Sequence, residues 1–160
     1  LAADVQGFVR VARDGKLAYE AWPEREAVLA HVDVLKTDAV EAQMLTGSAD
    51  VRRAAQLLAD LGPSEIVLTH RDGVLVYARG RLHEARFFPR ELVGRSGRGD
   101  TCVAAYVARR LAAVGGRPIG SPAEATVWAA AVTSLKMEAE GPFRQDIRTV
   151  EDLIRRRYSG

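Results

Sequence analysis

Apolar positions recur with two different spacings along this 160-residue chain. Residues 49–61 carry apolar side chains three and four positions apart, which predicts a helix that ends at Gly62-Pro63. Three segments between residues 65 and 88 are rich in β-branched and aromatic residues, and turns at Asp72-Gly73 and Arg79-Gly80 join them. This pattern predicts three strands, which must be antiparallel because the turns are so short.

Helices are predicted on both sides of these strands. Before them, we expect a strand region at the amino end, a helix over residues 21–31, a buried strand over residues 32–36 and a helix from Asp38 to Gly47. After them, we expect a helix that opens at Asp100 and ends at Gly115-Gly116. Its apolar face is predicted to contain Val103, Val107, Leu111 and Val114.

Two further helices are predicted near the carboxyl end. One begins at Ser121-Pro122-Ala123-Glu124, which has the pattern of a capping box, and ends at Gly141-Pro142. The other covers residues 149–156. Helices that alternate with strands, together with one meander, indicate a layered α/β domain.

Composition excludes several classes of function. The chain is 48% hydrophobic with a net charge of +2, so it can bury a core, and the balance of charges argues against nucleic acid as the main partner. We expect no membrane segment. Cys102 is the only cysteine, so no internal disulfide can form, and we expect a buried helical thiol in a cytoplasmic protein.

A glycine-rich turn, Ser96-Gly97-Arg98-Gly99-Asp100-Thr101, leads directly into a predicted helix. The first amides of a helix lack intrahelical partners and lie at the positive end of its dipole, so such a turn suits phosphate binding. Asp100 could then act as a general base. The alternative is an ordinary loop in which the aspartate caps the helix.

Three segments resemble the carboxyl-terminal half of the PfkB, or ribokinase-like, family of carbohydrate kinases. The run from Asp33 to Gly47 is similar to the family's strand, Asn-x-x-Glu motif and Leu-Thr-Gly helix end. Ile66-Val67-Leu68-Thr69 with Gly73 resembles the strand and turn beneath the nucleotide phosphates. Ser96 to Thr101 resembles the signature Thr-Gly-Ala-Gly-Asp-Thr.

The resemblance implies a three-layer α/β/α fold with a mostly parallel sheet and an antiparallel meander at one side. It implies that residues 1–160 form the carboxyl-terminal nucleotide-binding and catalytic part of the domain. The chain opens on Leu1 without an initiator methionine. We therefore expect a fragment that lacks the amino-terminal half, with most of the substrate site and the lid through which members often dimerise.

The resemblance also assigns chemical roles. Asp100 is expected to be the catalytic base, and the amides around Gly97, Arg98 and Gly99 to form the anion hole. Glu41 and Asp38 match the metal motif, in which Mg²⁺ is held through water. Local sequence offers an alternative for this acidic pair, since Asp38 followed by Glu41 is also a capping box.

Nucleotide-binding positions follow from the same resemblance. They are Thr69, Gly73, Ala130, Ser134 and Gly141. A threonine that ends a strand is usually only a strand residue, and small residues on a helix usually serve packing. The expected cofactors are ATP and Mg²⁺.

Three residues depart from the family pattern. Asp38 replaces the usual asparagine, and Gly94 lies where many members have an aspartate associated with a monovalent cation, so potassium activation is not supported. Arg98 replaces a small residue, and its guanidinium either contacts phosphate or points to solvent.

The implied function is an ATP-dependent kinase that phosphorylates a hydroxyl of a sugar, polyol or similar small molecule, inactive as the isolated fragment. Two alternatives stay open from the sequence. One is a regulatory nucleotide-binding relative without catalysis, and the other is an α/β core in which the turn is only a cap.

Overall fold

The computed structural model describes residues 1–94, 96–111, 113–114, 117–118 and 120–158. The amino-terminal part contains β1 (Ala2–Asp4), α1 (Gln6–Val9), β2 (Arg10–Arg13), β3 (Lys16–Tyr19), α2 (Arg25–Leu29), β4 (Val34–Asp38), α3 (Ala39–Thr46) and α4 (Val51–Ala59). The meander strands follow: β5 (Glu65–Thr69), β6 (Gly73–Ala78) and β7 (Arg81–Arg86). The last part contains α5 (Arg98–Leu111), β8 (Ala113–Val114), β9 (Arg117–Pro118), α6 (Pro122–Met137) and α7 (Ile147–Arg157).

The main sheet has five strands in the order β1-β4-β5-β6-β7. β4 runs parallel to β1 and to β5, with Asp38 opposite Thr69 at the carboxyl end of the second pair. Connections of two and three residues join β5, β6 and β7, which only antiparallel neighbours allow. Arg79 and Gly80 both have positive φ, as a tight hairpin turn requires. The predicted mixed α/β sheet is thus confirmed.

The chain divides into two compact units. The first comprises residues 1–70 and 75–82, and the second comprises residues 71–74 and 83–160. The core of the first unit is built from apolar side chains of α1, α2, α4 and the central strands, among them Val9, Leu29, Leu35, Leu58 and Ile66. The core of the second unit contains side chains of α6 and α7, among them Ala131, Leu135, Val150 and Leu153.

Most predicted helices are confirmed with shifted ends, and three predictions were wrong. Residues 21–31 hold only the short helix α2. α5 ends at Leu111, so Val114 belongs to β8 and not to a helix. The buried face of α5 is formed by Cys102 and Tyr106 rather than by Val103 and Val107, while Leu111 is 70% exposed.

The buried face of α5 was mispredicted because helical spacing alone does not show which side of the helix packs against the rest of the unit. The predicted end at Gly115-Gly116 lies outside the described residues. At the amino end, the predicted strand region also contains the single turn α1. In the part of the chain that the structure describes, no helix is long and apolar enough to cross a membrane.

Candidate active site

The predicted site residues fall into two groups, one in each compact unit. Asp38, Glu41 and Thr69 belong to the first unit, where β4 and β5 end side by side. The glycine turn, Asp100, Ala130, Ser134 and Gly141 belong to the second unit, as does Gly73.

Asp38 and Glu41 form the capping box that the local sequence predicts. An Asp38 Oδ1 accepts the Glu41 backbone N–H at 2.8 Å, and a Glu41 Oε2 accepts the Asp38 backbone N–H at 2.8 Å. The helix they cap, α3, ends at Gly47 in the left-handed region. These bonds fix both carboxylates at the carboxyl end of β4.

Arg10 contacts both carboxylates of this acidic pair. Its Nη2 donates to Asp38 Oδ2 at 2.7 Å and lies 2.9 Å from Glu41 Oε1. Gln6 supports the guanidinium through a 3.1 Å bond from Nη1, and the Tyr19 ring lies 5.4 Å from its central carbon. Sequence analysis assigned no role to Arg10, because nothing in the local pattern links the start of β2 to a motif 28 residues later.

Glu41 is fully buried, whereas the Asp38 side chain is 22% exposed. Burial raises the pKa of the Glu41 carboxyl above its ordinary 4.5, against the lowering effects of the Asp38 backbone N–H, Lys36 and Arg10. The capping amide and the two neighbouring cations therefore offset part of the effect of burial. Loss of Lys36 or of Arg10 would favour the neutral form of Glu41.

The acidic pair fits a magnesium ion held through water better than one held directly. All four carboxylate oxygens already face the capping amides or Arg10. Among the described residues, no group of three or more His, Cys, Asp or Glu side chains could hold a metal ion. Carboxylates that contact hydrated Mg²⁺ need no such cage.

Lys36 and Thr69 belong to the first unit as well. The Lys36 ammonium is almost fully buried and pairs with Asp4, with its Nζ 3.1 Å from Oδ2. The Thr69 hydroxyl lies 3.5 Å from the Thr37 carbonyl oxygen. Both side chains are thus engaged within the sheet in this structure.

In the second unit, the glycine turn opens α5 as the sequence predicts. Gly97 has φ +72°, in the left-handed region that glycine adopts without strain, and its carbonyl accepts the Thr101 N–H at 3.0 Å. The amides of Arg98, Gly99 and Asp100 come before Thr101, the residue whose N–H bonds to the Gly97 carbonyl. Within the described part of the chain, no group accepts a hydrogen bond from these three amides.

Asp100 lies on the first turn of α5 and is exposed. None of the described residues forms a hydrogen bond or ion pair with its carboxylate, so the group does not act as a side-chain cap in this structure. The guanidinium of Arg98 lies 5.9 Å from the centre of the Phe87 ring. Arg98 therefore packs against an aromatic ring rather than extending freely into solvent.

A lysine that the sequence analysis passed over lies beside the turn. Lys136, in the last turn of α6, is 4% exposed. Its Cε is 3.9 Å from the position that a Cβ atom would occupy at Gly97. The available signal is weak: Lys136 is one of three lysines in the chain and follows a run of small and apolar helical residues.

Two residues expected around a nucleotide base, Ala130 and Ser134, lie in the interior of this structure. Ala130 and Ser134 are fully buried. The Ser134 hydroxyl donates to the Ala130 carbonyl at 2.6 Å and accepts the Phe88 N–H at 2.9 Å. Gly141, by contrast, is exposed in a turn with φ +76°.

Gly73 has a packing reason to be glycine. A Cβ atom there would lie 2.3 Å from the Ala85 carbonyl oxygen, so no larger residue fits between β6 and β7. Gly94 is also close to its neighbours, because a Cβ would lie 3.2 Å from the Ala139 carbonyl oxygen. Its N–H donates to the Met137 carbonyl at 3.1 Å.

Comparison with solved structures identifies similar proteins. A pyrophosphate-dependent kinase in the ribokinase family, solved with a pyrophosphate analogue and myo-inositol, is 41% identical over 95% of this chain and 52% of its own, with a TM-score of 0.82. A pyrophosphate-dependent myo-inositol-1 kinase converted into a myo-inositol-3 kinase is 39% identical over 98% and 54%, with a TM-score of 0.84. Arabidopsis thaliana ribokinase, complexed with ribose and ATP, is 26% identical over 81% and 43%, with a TM-score of 0.66.

These similarities confirm the predicted ribokinase-like α/β fold. The chain spans about half the length of the solved structures that it matches. A comparison with curated proteins found no match. A family model described as pfkB family carbohydrate kinase matches residues 1–145, which is most of the chain. This chain therefore belongs to the pfkB family of carbohydrate kinases.

Proposed function

We propose that this chain supplies the catalytic and donor-binding part of a kinase that phosphorylates a hydroxyl of a polyol of the inositol type. The observation that carries the proposal is the start of α5. There, three backbone amides and the exposed carboxylate of Asp100 have no partner among the described residues, although each would be satisfied by a phosphoryl group and an acceptor hydroxyl.

The proposed reaction is an in-line phosphoryl transfer. The acceptor oxygen attacks the terminal phosphorus of the donor, a new P–O bond forms, and the bond to the leaving phosphate breaks with its electron pair on that leaving group. Asp100 takes the proton of the acceptor hydroxyl as its oxygen attacks. The amides of Arg98, Gly99 and Asp100 stabilise the charge on the oxygens of the transferring group.

Asp38 and Glu41 are the residues that would hold Mg²⁺, through water. When bound, the ion supplies neutralisation of phosphate charge on the donor. Arg10 holds both carboxylates in place through its contacts of 2.7 and 2.9 Å. Monovalent cation activation is not part of the proposal, since Gly94 offers no carboxylate.

We propose inorganic pyrophosphate as the phosphoryl donor. The relatives at 39–41% identity are described as pyrophosphate-dependent. The burial of Ala130 and Ser134 also favours a donor without a base, because those positions would have to open before they could contact adenine. ATP is the second candidate, supported by the family resemblance and by the ATP complex of the Arabidopsis thaliana ribokinase.

The test uses the intact gene product, because the relatives are about twice the length of this chain. Phosphorylated product is measured by ³¹P NMR with myo-inositol or ribose as acceptor and pyrophosphate or ATP as donor, in the presence of Mg²⁺. We expect transfer from pyrophosphate to myo-inositol. Transfer from ATP alone would overturn the donor assignment, and donor binding without product from any pair would favour a regulatory protein.

The role of Asp100 is tested separately with Asp100→Asn. The variant should lose turnover by about a hundredfold or more, the usual contribution of a general base, while donor affinity stays close to wild type. Asp60→Asn, an exposed aspartate at the end of α4, is the matched control and should retain full activity. An Asp100→Asn variant with wild-type turnover would exclude Asp100 as the base.

A further inference from the structure

Lys136 has a buried side chain whose ammonium has no anionic partner among the described residues. Its side chain belongs to the interior face of α6 and is 4% exposed. Among residues 1–94, 96–111 and 120–158, none forms a hydrogen bond or an ion pair with its ammonium. The other buried lysine, Lys36, has Asp4 as its partner at 3.1 Å.

The stem of the Lys136 side chain is buried, but its Nζ is not among the fully enclosed side-chain nitrogen and oxygen atoms that lack a hydrogen-bond partner. The ammonium therefore keeps contact with solvent while its stem packs in the interior. Cations are favoured near the negative end of a helix dipole, and Lys136 lies in the last turn of α6. A charge held in this way is available to an anionic ligand.

The backbone around Lys136 directs its side chain toward the start of α5. The N–H groups of Val93 and Gly94 both donate to the Met137 carbonyl, at 2.9 and 3.1 Å, which anchors the segment before the glycine turn to the end of α6. The Lys136 Cε then lies 3.9 Å from the Cβ position at Gly97, which brings the end of the side chain beside the glycine turn that opens α5.

We propose that Lys136 is a phosphate-binding residue of the donor site. Its ammonium and the amides of the α5 first turn hold one phosphoryl group of the donor between them. The inference deepens the proposed function and rests on it for the nature of the donor. A partner with dense negative charge satisfies both the ammonium and the amides, which have no acceptor among the described residues.

Lys136 also favours a donor of the pyrophosphate type. A nucleoside triphosphate derives part of its binding energy from its base and ribose, whereas pyrophosphate has only charged oxygens to offer. A site for pyrophosphate therefore depends more strongly on fixed positive charge. Loss of Lys136 should weaken pyrophosphate more than it weakens a nucleotide.

The experiment compares Lys136→Met with Lys136→Arg and Lys16→Met in the intact gene product. Methionine keeps the length of the side chain without its charge, arginine keeps a charge, and Lys16 is an exposed residue of β3 that serves as the matched control. Binding of methylene bisphosphonate, an unreactive pyrophosphate analogue, and of myo-inositol is measured by calorimetry with Mg²⁺. Thermal unfolding is recorded with and without the bisphosphonate.

We expect Lys136→Met to bind the bisphosphonate about tenfold to a hundredfold more weakly, the usual effect of losing a hydrogen bond to a charged group. Its affinity for myo-inositol should stay unchanged. Without ligand, the variant should unfold at about the wild-type temperature, because the ammonium has no hydrogen-bond or ionic partner among the described residues whose contact would be lost. Lys136→Arg should recover part of the affinity, and Lys16→Met should match wild type.

Two results would overturn the inference. One is a folded Lys136→Met variant with wild-type affinity for the bisphosphonate, and the other is a variant that unfolds at a lower temperature and loses both ligands equally. A wild-type protein that binds no bisphosphonate would also overturn it. A wild-type protein that binds the bisphosphonate through Lys136 but transfers no phosphoryl group would leave this inference standing and refute the proposed function.

Discussion

The two units hold their charges in opposite ways. In the first unit, Arg10 contacts both Asp38 and Glu41, and Lys36 contacts Asp4. In the second unit, Lys136 and Asp100 have no ionic partner among the described residues. A charge that already has a partner positions its neighbours, whereas a charge that lacks one is available to a ligand.

The two units also differ in the polar interactions that stabilise them. The first unit uses ion pairs near the ends of β4 and β5. In the second unit the Arg155–Asp152 ion pair is exposed, and largely buried groups form neutral hydrogen bonds, such as the Tyr158 hydroxyl donating to the Arg86 carbonyl at 2.6 Å. Removing one partner of a largely buried ion pair, such as Arg10, should therefore destabilise the first unit strongly. Removing the charge of Lys136, which has no ionic partner among the described residues, should not destabilise the second unit.

The largest effect on stability is expected for Arg10→Met. The substitution leaves the fully buried Glu41 and the largely buried Asp38 without their shared cation, so the free energy of unfolding should fall by about 3 kcal/mol. Urea unfolding followed by circular dichroism measures the change.

Arg13→Met is the matched control for Arg10→Met. Arg13 pairs with Glu20 at 2.6 Å, but its side chain is 68% exposed, so its loss should leave stability unchanged. Equal destabilisation by the two arginine variants would show that burial does not distinguish these ion pairs, and the comparison between the units would then fail.

A smaller effect is expected for substitutions of Asp38. Asp38→Ala removes both the helix cap and the contact with Arg10, and should lower the free energy of unfolding by about 2 kcal/mol. Asp38→Asn restores the residue usual in the family and keeps an oxygen that can cap α3, so about half of that loss should be recovered. Chemical denaturation of both variants gives the two values.

If Asp38→Asn were as unstable as Asp38→Ala, the ion pair with Arg10 would be the dominant role of this side chain. If the two variants differed by the full effect, the cap would be dominant. Either result would refine the division of roles between the cap and Arg10.

The smallest effect is expected for Tyr158→Phe in the second unit. Loss of the hydroxyl that donates to Arg86 should lower the free energy of unfolding by about 1 kcal/mol. Burial raises the pKa of Tyr158 from 10.0 to about 12, although its contact with Ser134 acts in the opposite direction. The advantage of the wild type should be complete below pH 10.0 and disappear as the pH rises through about 12.

Unfolding of the wild type and Tyr158→Phe across this pH range measures the effect. Because the hydroxyl is neutral below pH 10.0, the difference should not depend on salt, in contrast to the effect of Arg10→Met. A salt-dependent difference for Tyr158→Phe would contradict the assignment of neutral hydrogen bonds to the second unit.

Local sequence predicted those parts of the fold that depend on neighbours along the chain. The capping boxes at Asp38 and Ser121 and the left-handed end at Gly47 are all present, because each depends on groups three or four residues apart. The buried face of α5 was mispredicted, since the choice between valines and Tyr106 depends on what packs against the helix. The roles of Arg10 and Lys136 could not be read from local pattern for the same reason.

The sequence alone determined the family, the α/β class, the glycine turn at the start of α5 and the position of Asp100 on its first turn. These follow from short-range hydrogen bonding and from backbone freedom at glycine, which act over a few residues. Only the tertiary structure decided which charges have partners, because Arg10 reaches Asp38 across 28 residues and Lys136 lies 39 residues beyond Gly97. Coulombic pairing and desolvation depend on distance in space, and it is this distance that leaves Lys136 free for an anion.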